Sequence, residues 1–244
     1  MTNAITIAEL VRNKTMSAEM AGLLWAAVDE KVSFLTAAVY RNAGKSTVAK
    51  AVLSLRPKNV SLHYASGNWQ VTEKLLSVEK HGGYLVVDEF SDYDYPGYLW
   101  GDEIKHVFKM LKIGYSLQAS LHAENAEDAI LELTQKNQIS DEDASQIQLV
   151  IFIEMFGTTL ADAKRRVTEI YEVHRVEKGS PVGHLIFKWN KESDSFEMVD
   201  ENHLFGRNKD EVKKRSEILG YLANSGKTSQ EDIEKALLDF NNQT

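Results

Sequence analysis

Residues 34–47 read FLTAAVYRNAGKST, and the rest of the chain is interpreted around this segment. It begins with apolar residues, continues with small and polar ones, and is followed by apolar residues at helical spacing. This order predicts a buried strand, a loop and a helix. The tripeptide Gly44-Lys45-Ser46 at the end of the predicted loop is the second half of the phosphate-loop pattern Gly-x4-Gly-Lys-Ser/Thr.

The chemistry of that pattern gives each residue a role. Backbone N–H groups and the positive end of the following helix would surround a phosphate, and Gly44 would leave room for it. Lys45 would bring a positive charge to the outer phosphates, and the Ser46 hydroxyl would ligate Mg²⁺. The predicted nucleotide-binding loop comprises Arg41, Asn42, Ala43, Gly44, Lys45, Ser46 and Thr47.

The first half of the pattern is degenerate. Val39 stands where the first glycine is expected, and Asn42 occupies a second position that is often glycine. An ordinary strand-to-helix turn is therefore the alternative interpretation of the segment. A second Gly-Lys-Thr at residues 226–228 follows no hydrophobic strand, so it predicts a turn between two helices.

Two further polar positions follow predicted strands. Asp88 and Glu89 end the apolar run that begins at Tyr84. His122 belongs to the polar cluster that ends the predicted strand at residues 113–125. Ligands of open α/β sheets collect at the carboxyl ends of the strands. We expect Asp88 to hold Mg²⁺ through a water, Glu89 to orient or deprotonate the attacking water, and His122 to sense the terminal phosphate.

Composition limits the possible functions. The chain has 244 residues, 43% of them hydrophobic, which is enough for a full core. It has no cysteine, which excludes disulfides, thiolate metal sites and cysteine nucleophiles. The net charge of −8 disfavours nucleic acid as a partner. Without a long apolar run or a signal-peptide pattern, we expect a cytoplasmic protein that is not itself transmembrane.

The remaining segments complete the predicted organisation. Two helices precede the first strand, and alternating strands at 166–175, 181–189 and 195–199 predict an antiparallel extension at the edge of a mainly parallel sheet. A helical hairpin follows residue 208, and we predict a main domain over 1–205 with an appendage over 206–244. The arginines of the extension either reach a neighbouring subunit's nucleotide or occupy solvated strand positions, and the second interpretation is favoured; they are Arg165, Arg166 and Arg175.

Three segments together resemble a known family. They are the loop at 43–47, the acidic strand at 84–92, and the sequence SLHAENAEDA at 120–129, which is similar to the family's histidine box. The family is that of the secretion and pilus motor ATPases of the type II, type IV pilus and type IV secretion systems, a branch of the RecA-like P-loop ATPases. The resemblance implies a three-layer α/β fold that binds ATP and Mg²⁺. It also implies a hexameric ring that drives membrane-anchored machinery.

The chain departs from the family pattern near its acidic strand. Ser91 stands where the family usually has an arginine, and Glu73 is a candidate remnant of an acidic box that is otherwise not recognisable. A degenerate subunit that does not hydrolyse ATP is therefore the alternative to an active motor. A phosphotransferase would need an arginine-rich lid that the sequence after Glu89 lacks, and the acidic balance argues against nucleic-acid translocation.

Overall fold

The computed structural model describes residues 4–65, Glu73, 82–157, 162–200 and 209–242. In chain order the strands are β1 (Phe34–Ala37), β2 (Leu62–Tyr64), β3 (Gly83–Val87), β4 (Glu89–Phe90), β5 (Tyr98–Leu99), β6 (Tyr115–Leu121), β7 (Leu149–Phe156), β8 (Lys164–Glu177), β9 (Ser180–Asn190) and β10 (Ser195–Met198). The helices are α1 (Ile7–Arg12), α2 (Ala18–Asp29), α3 (Lys45–Leu53), α4 (Asp102–Lys112), α5 (Ala126–Leu131), α6 (Asp141–Ala144), α7 (Lys209–Asn224) and α8 (Gln230–Asn241), with a π-helical turn at Glu132–Lys136.

One large sheet organises the molecule. Its strand order is β10-β9-β8-β7-β1-β6-β3-β2, while β4 and β5 form a separate two-stranded pair. The strands from β7 to β2 are parallel to their neighbours, and β8, β9 and β10 continue the sheet in antiparallel pairing. This confirms a mixed α/β architecture with a mostly parallel sheet and an antiparallel extension at one edge.

The sheet is covered by helices on both faces. Phe34 of β1 packs into an apolar cluster with α1, α2, α3, α7 and α8. Leu35 and Ala37, on the opposite face of the same strand, pack into a second cluster with α4, α5 and α6. All four residues of β1 are buried, which is the pattern of a parallel strand covered on both sides. The molecule therefore has three layers, helix, sheet and helix.

Local sequence signals set several element boundaries. Ser17 accepts a hydrogen bond from the Met20 N–H and begins α2, as predicted from its capping chemistry. The predicted strand from Tyr84 to Phe90 is divided at Asp88 into β3 and β4. Apolar residues at helical spacing predict a helix over Leu99–Leu111, but Leu99 pairs in β5 and the helix α4 begins at Asp102. The short helix α6 is not indicated by the sequence pattern. Apolar residues at 69–79 predict a further helix, and this range lies outside the described residues except for Glu73.

The C-terminal helical hairpin is joined to the main core. Arg215 of α7 donates a hydrogen bond to the Asp29 carboxylate at 2.7 Å, and the Phe240 ring of α8 lies 4.9 Å from the Trp25 ring. The Thr6 hydroxyl donates to the carbonyl oxygen of Thr228. The apolar faces of α7 and α8 are buried against α1 and α2. The division into a main domain over 1–205 and an appendage over 206–244 stays a prediction. Within the described ranges, no helix is long and apolar enough to cross a membrane.

We predict that the contact between α2 and α7 depends on Gly22. A Cβ atom there would lie 2.7 Å from the Ser216 backbone nitrogen and 2.9 Å from the Val212 carbonyl oxygen. Gly22→Ala should therefore force the helices apart and lower the free energy of unfolding by about 1–3 kcal/mol, measured by urea denaturation.

Gly220→Ala is the matched control in the same interface. A Cβ at Gly220 would lie 3.4 Å from the Cβ of Ala18, which is an ordinary contact. Its helix propensity should leave the protein equally stable or stabilise it by about 1 kcal/mol. Equal stability changes for the two variants would contradict a close approach of α2 and α7 at Gly22.

Candidate functional site: a cationic cleft at the carboxyl edge of the sheet

Three side chains from separate segments meet beyond the carboxyl ends of β1, β3 and β6. These strands are neighbours and run parallel, so the segments that leave them emerge at the same edge. The Lys45 Nζ atom lies 3.2 Å from Glu89 Oε2 and 3.2 Å from His122 Nε2. His122 Nε2 also lies 3.2 Å from Glu89 Oε1. The structure thus brings together the ammonium, carboxylate and imidazole groups that the sequence suggested for one site.

Backbone contacts orient the His122 ring. Its Nδ1 atom lies 3.0 Å from the carbonyl oxygens of both Ala38 and Val39. Because a carbonyl oxygen only accepts hydrogen bonds, the Nδ1 atom must carry a hydrogen. The Nε2 atom of a neutral ring then accepts a hydrogen bond from Lys45, whereas in a protonated ring it donates to Glu89. The protonation state of His122 therefore decides which of its two neighbours it binds.

Lys45 and Glu89 form an ion pair that is almost fully buried. Each residue is only 7% exposed. Burial lowers the pKa of Lys45 below its ordinary value, and the nearby charge of Glu89 opposes this shift. Burial also raises the pKa of Tyr98, which adjoins Glu89 in the β4–β5 pair, and the negative charge of Glu89 adds to the rise. The three groups thus share a desolvated environment in which electrostatic interactions are strong.

In the loop between β1 and α3, the left-handed backbone positions are occupied by glycine and asparagine. Gly44 has φ of 106° and caps α3 without any side-chain hydrogen bond. Asn42 has φ of 63°, a left-handed conformation that asparagine adopts more readily than most residues. Val39 is not among the residues with positive φ, so its backbone does not require glycine. Both departures from the phosphate-loop pattern are compatible with this loop.

The loop lines a cleft of about 1170 Å³ that is rich in positive charge. All seven residues of the predicted loop, 41–47, contribute to its wall, and Ser46 is exposed there. Among the described lining residues, two carboxylates, from Glu89 and Asp194, stand against seven cationic side chains. A cleft of this charge on a chain with a net charge of −8 favours anionic ligands. The cationic lining residues are Arg12, Lys14, Arg41, Lys45, Lys164, Arg165 and Arg166.

The arginines of the antiparallel extension have different environments. Arg165 bonds to the carbonyl oxygen of Asn42 in the loop of its own chain. Arg166 is buried and forms a two-bond ion pair with Asp194, which holds the pKa of that carboxyl well below its usual range. Arg175 is exposed and pairs with Glu177.

Sequence reasoning missed the position of Arg165. It is the second residue of β8, and because β8 is antiparallel to β7, the first residues of β8 lie at the edge where the parallel strands end. The basic run Lys164–Arg166 at the start of an antiparallel strand was the signal available in the sequence.

The predicted metal ligands are not equally placed. Ser46 is on the wall of the cleft, but Asp88 is exposed, and its carboxylate lies against Gly97 rather than on that wall. Glu73 bonds to His106 of α4 at 2.6 Å. In the described part of the chain, no group of three or more His, Cys, Asp or Glu side chains is arranged to hold a metal ion. The metal role of Asp88 stays a prediction.

Comparison with known proteins gives distant similarities. No family model matches the sequence. The chain is 23% identical over 220 residues to a protein of Methanocaldococcus jannaschii named uncharacterized protein MJ1287, and this match covers 82% of the chain and 80% of that protein. The name of this relative gives no activity.

Three of the similar solved structures are ATPases of known name. The first is the VirB11 ATPase of the Brucella suis type IV secretion system in complex with sulphate, with a TM-score of 0.41 and 15% identity, covering 61% of this chain and 50% of that one. The ATPase DotB from Legionella pneumophila has a TM-score of 0.41 and 11% identity, covering 82% of this chain and 54% of that one. The ATPase DotB from Yersinia pseudotuberculosis has a TM-score of 0.45 and 11% identity, covering 91% of this chain and 56% of that one. The chain spans about half the length of these structures. All three TM-scores are below 0.5, so the support for the candidate site comes from the geometry of its own residues.

We predict that Lys45 and Glu89 stabilise the fold only as a pair. Lys45→Met would leave the Glu89 carboxylate buried without its main partner, and Glu89→Gln would do the same to the Lys45 ammonium. Each single variant should lose about 3 kcal/mol in the free energy of unfolding, whereas the double variant should lie within about 1 kcal/mol of wild type. Urea denaturation of the four proteins gives the coupling. Additive losses would contradict a direct buried ion pair.

Proposed function

We propose that this chain binds a nucleoside triphosphate, ATP, in the cationic cleft and hydrolyses it. The observation that carries the proposal is the convergence of Lys45, Glu89 and His122 within 3.2 Å of one another, beside a loop that begins a helix with a left-handed glycine. A cation at a helix N-terminus can bind phosphates, and a carboxylate beside it can orient a water for attack on the terminal phosphate. The excess of positive charge on the cleft wall suits a polyphosphate.

Each group has a distinct role in this proposal. Loop N–H groups and the Lys45 ammonium bind the phosphates, so Lys45 exchanges part of its pairing with Glu89 for a phosphate oxygen. Glu89, released from that partner, accepts a proton from the attacking water. His122 keeps its Nδ1 hydrogen on the backbone carbonyls, and a doubly protonated ring would donate from Nε2 to the terminal phosphate or to Glu89. Binding of the phosphates thereby frees the base that acts on the water.

The chain also offers a partial set of groups for Mg²⁺. The exposed hydroxyl of Ser46 on the cleft wall fits a ligand of a hard cation whose other ligands are waters and phosphate oxygens. When bound, the ion would neutralise negative charge on the phosphates. Asp88 would have to turn away from Gly97 to contribute, so we assign the protein side of the metal shell to Ser46.

The biological setting of this proposal comes from the resemblance of three sequence segments to motor ATPases. It implies a homohexameric ring in the cytoplasm that acts on membrane-anchored secretion or pilus machinery. The second candidate function is a degenerate subunit of such an assembly that binds nucleotide without hydrolysing it. The exposed position of Asp88 favours this alternative, because it leaves the metal with one protein ligand.

We predict that Lys45 and Glu89 separate binding from hydrolysis. Lys45→Met should weaken the binding of a non-hydrolysable ATP analogue by about tenfold or more, because a charge-assisted hydrogen bond is lost. Glu89→Gln should keep the binding but reduce turnover by about 10²-fold or more. Calorimetric titration and a phosphate-release assay measure the two effects.

Lys50→Met is the matched control for these measurements. Lys50 is an exposed lysine of the same helix, α3, so its loss should change neither property. A Glu89→Gln protein with wild-type turnover would contradict the role of Glu89 as base. Binding without turnover in the wild type would select the degenerate subunit.

We also predict a pH dependence of nucleotide binding. Because burial lowers the pKa of Lys45 below its ordinary 10.5, the lysine of the free protein loses its proton at a lower pH than an exposed lysine does. Above that pKa, binding to the phosphates requires proton uptake, so the affinity should fall by up to about tenfold per pH unit. Titrations between about pH 7 and 10 measure this fall. Lys45→Arg stays protonated, and its profile should be flat; parallel profiles would contradict the assignment.

A further inference from the structure

Arg165 lies directly over the loop that the proposed function uses. Its Nε and Nη2 atoms donate to the carbonyl oxygen of Asn42 at 3.4 and 3.3 Å. Its Cδ atom lies 3.0 Å from the position that a Cβ on Gly44 would take. The side chain therefore crosses the loop at the point where the loop turns into α3, and it lines the same cleft as Lys45 and Ser46.

The guanidinium group of Arg165 is held weakly. Both of its hydrogen bonds go to one neutral oxygen, at distances longer than the usual 2.9–3.0 Å. The adjacent Arg166 differs, because its Nε and Nη2 atoms donate to the two oxygens of Asp194 at 2.8 and 2.9 Å. Arg166 is a fixed structural group, whereas the same two donors of Arg165 have a neutral carbonyl oxygen as their partner within the described residues. A phosphate with two oxygens could replace the single carbonyl oxygen.

The strand order places Arg165 across the loop from the reacting groups. Glu89 and His122 follow β3 and β6, which lie on one side of β1. Arg165 is near the start of β8, which lies on the other side of β1, beyond β7. A phosphate chain bound along the loop would therefore have positive charge on both flanks. Lys45 supplies it on the side of Glu89, and Arg165 supplies it on the side of the antiparallel extension.

We propose that Arg165 is a phosphate-binding residue that the antiparallel extension supplies to the nucleotide site of its own chain. On binding, the guanidinium exchanges the carbonyl oxygen of Asn42 for two phosphate oxygens. Because a planar fork suits paired oxygens better than an ammonium group does, arginine is the appropriate residue. The inference rests on the proposed function. It adds a second cation to the site and makes β8 part of it, so that one chain supplies both cations.

The test compares variants of two arginines on the same strand. Calorimetric titrations with Mg²⁺ and either ADP or a non-hydrolysable ATP analogue are made on wild type, Arg165→Gln, Arg165→Lys and Arg175→Gln. Arg165→Gln should weaken the binding of both ligands by about tenfold or more. The effect should include ADP because Arg165 lies on the other side of β1 from the residues proposed to act on the terminal phosphate. Arg165→Lys should recover part of that affinity, since it restores the charge but not the fork. Arg175→Gln, at the distant end of β8, should bind like wild type.

The controls separate the possible failures. Thermal unfolding should be the same for wild type and Arg165→Gln, because Arg165 lines the cleft and its side-chain hydrogen bonds to the described residues are the two long ones given above. Wild-type affinity of Arg165→Gln for both nucleotides would overturn the role of Arg165 and leave the proposed function intact. Equal weakening by Arg165→Lys and Arg165→Gln with an altered unfolding temperature would mean a structural role and would also overturn it. A wild-type protein that binds neither nucleotide would contradict both proposals.

Discussion

Burial of β1 on both faces and both edges is the constraint on which the site depends. The strand lies between β6 and β7, with one apolar cluster above it and another below it. A strand in that position cannot shift its register without exposing apolar side chains or unpairing backbone groups. Its last residue, Ala37, is thus fixed relative to the ends of β6 and β3. The positions of the loop and of the side chains that follow these strands are therefore fixed relative to one another.

Burial of two charged side chains beside the loop costs free energy. Lys45 and Glu89 are removed from water, and each is tolerable only because the other is within 3.2 Å. His122 is tied to the β1–α3 loop through the carbonyl oxygens of Ala38 and Val39. The pair and the ring therefore couple the loop to the ends of two other strands. A ligand that draws Lys45 away from Glu89 changes the charge balance at every member of this group.

The same sheet explains why the antiparallel extension contributes to the cleft. An antiparallel strand beside β7 begins where β7 ends, so the basic residues at its start return to the carboxyl edge. Arg166 then forms an ion pair with Asp194 of the β9–β10 turn, and Arg165 donates a hydrogen bond to Asn42 in the β1–α3 loop. The fold thus brings an arginine to the cleft from a strand that is far from the loop in the sequence.

The sequence by itself determined the strand, loop and helix around Gly44, the acidic and histidine ends of two further strands, and the antiparallel extension. These follow from hydrophobic periodicity, helix capping and loop chemistry, which are properties of neighbouring residues. The tertiary structure alone decided that Arg165 crosses the loop, that Asp88 turns toward Gly97, and that the C-terminal hairpin packs on α2. Each of these depends on which strands or helices become neighbours in space, and no local pattern specifies that.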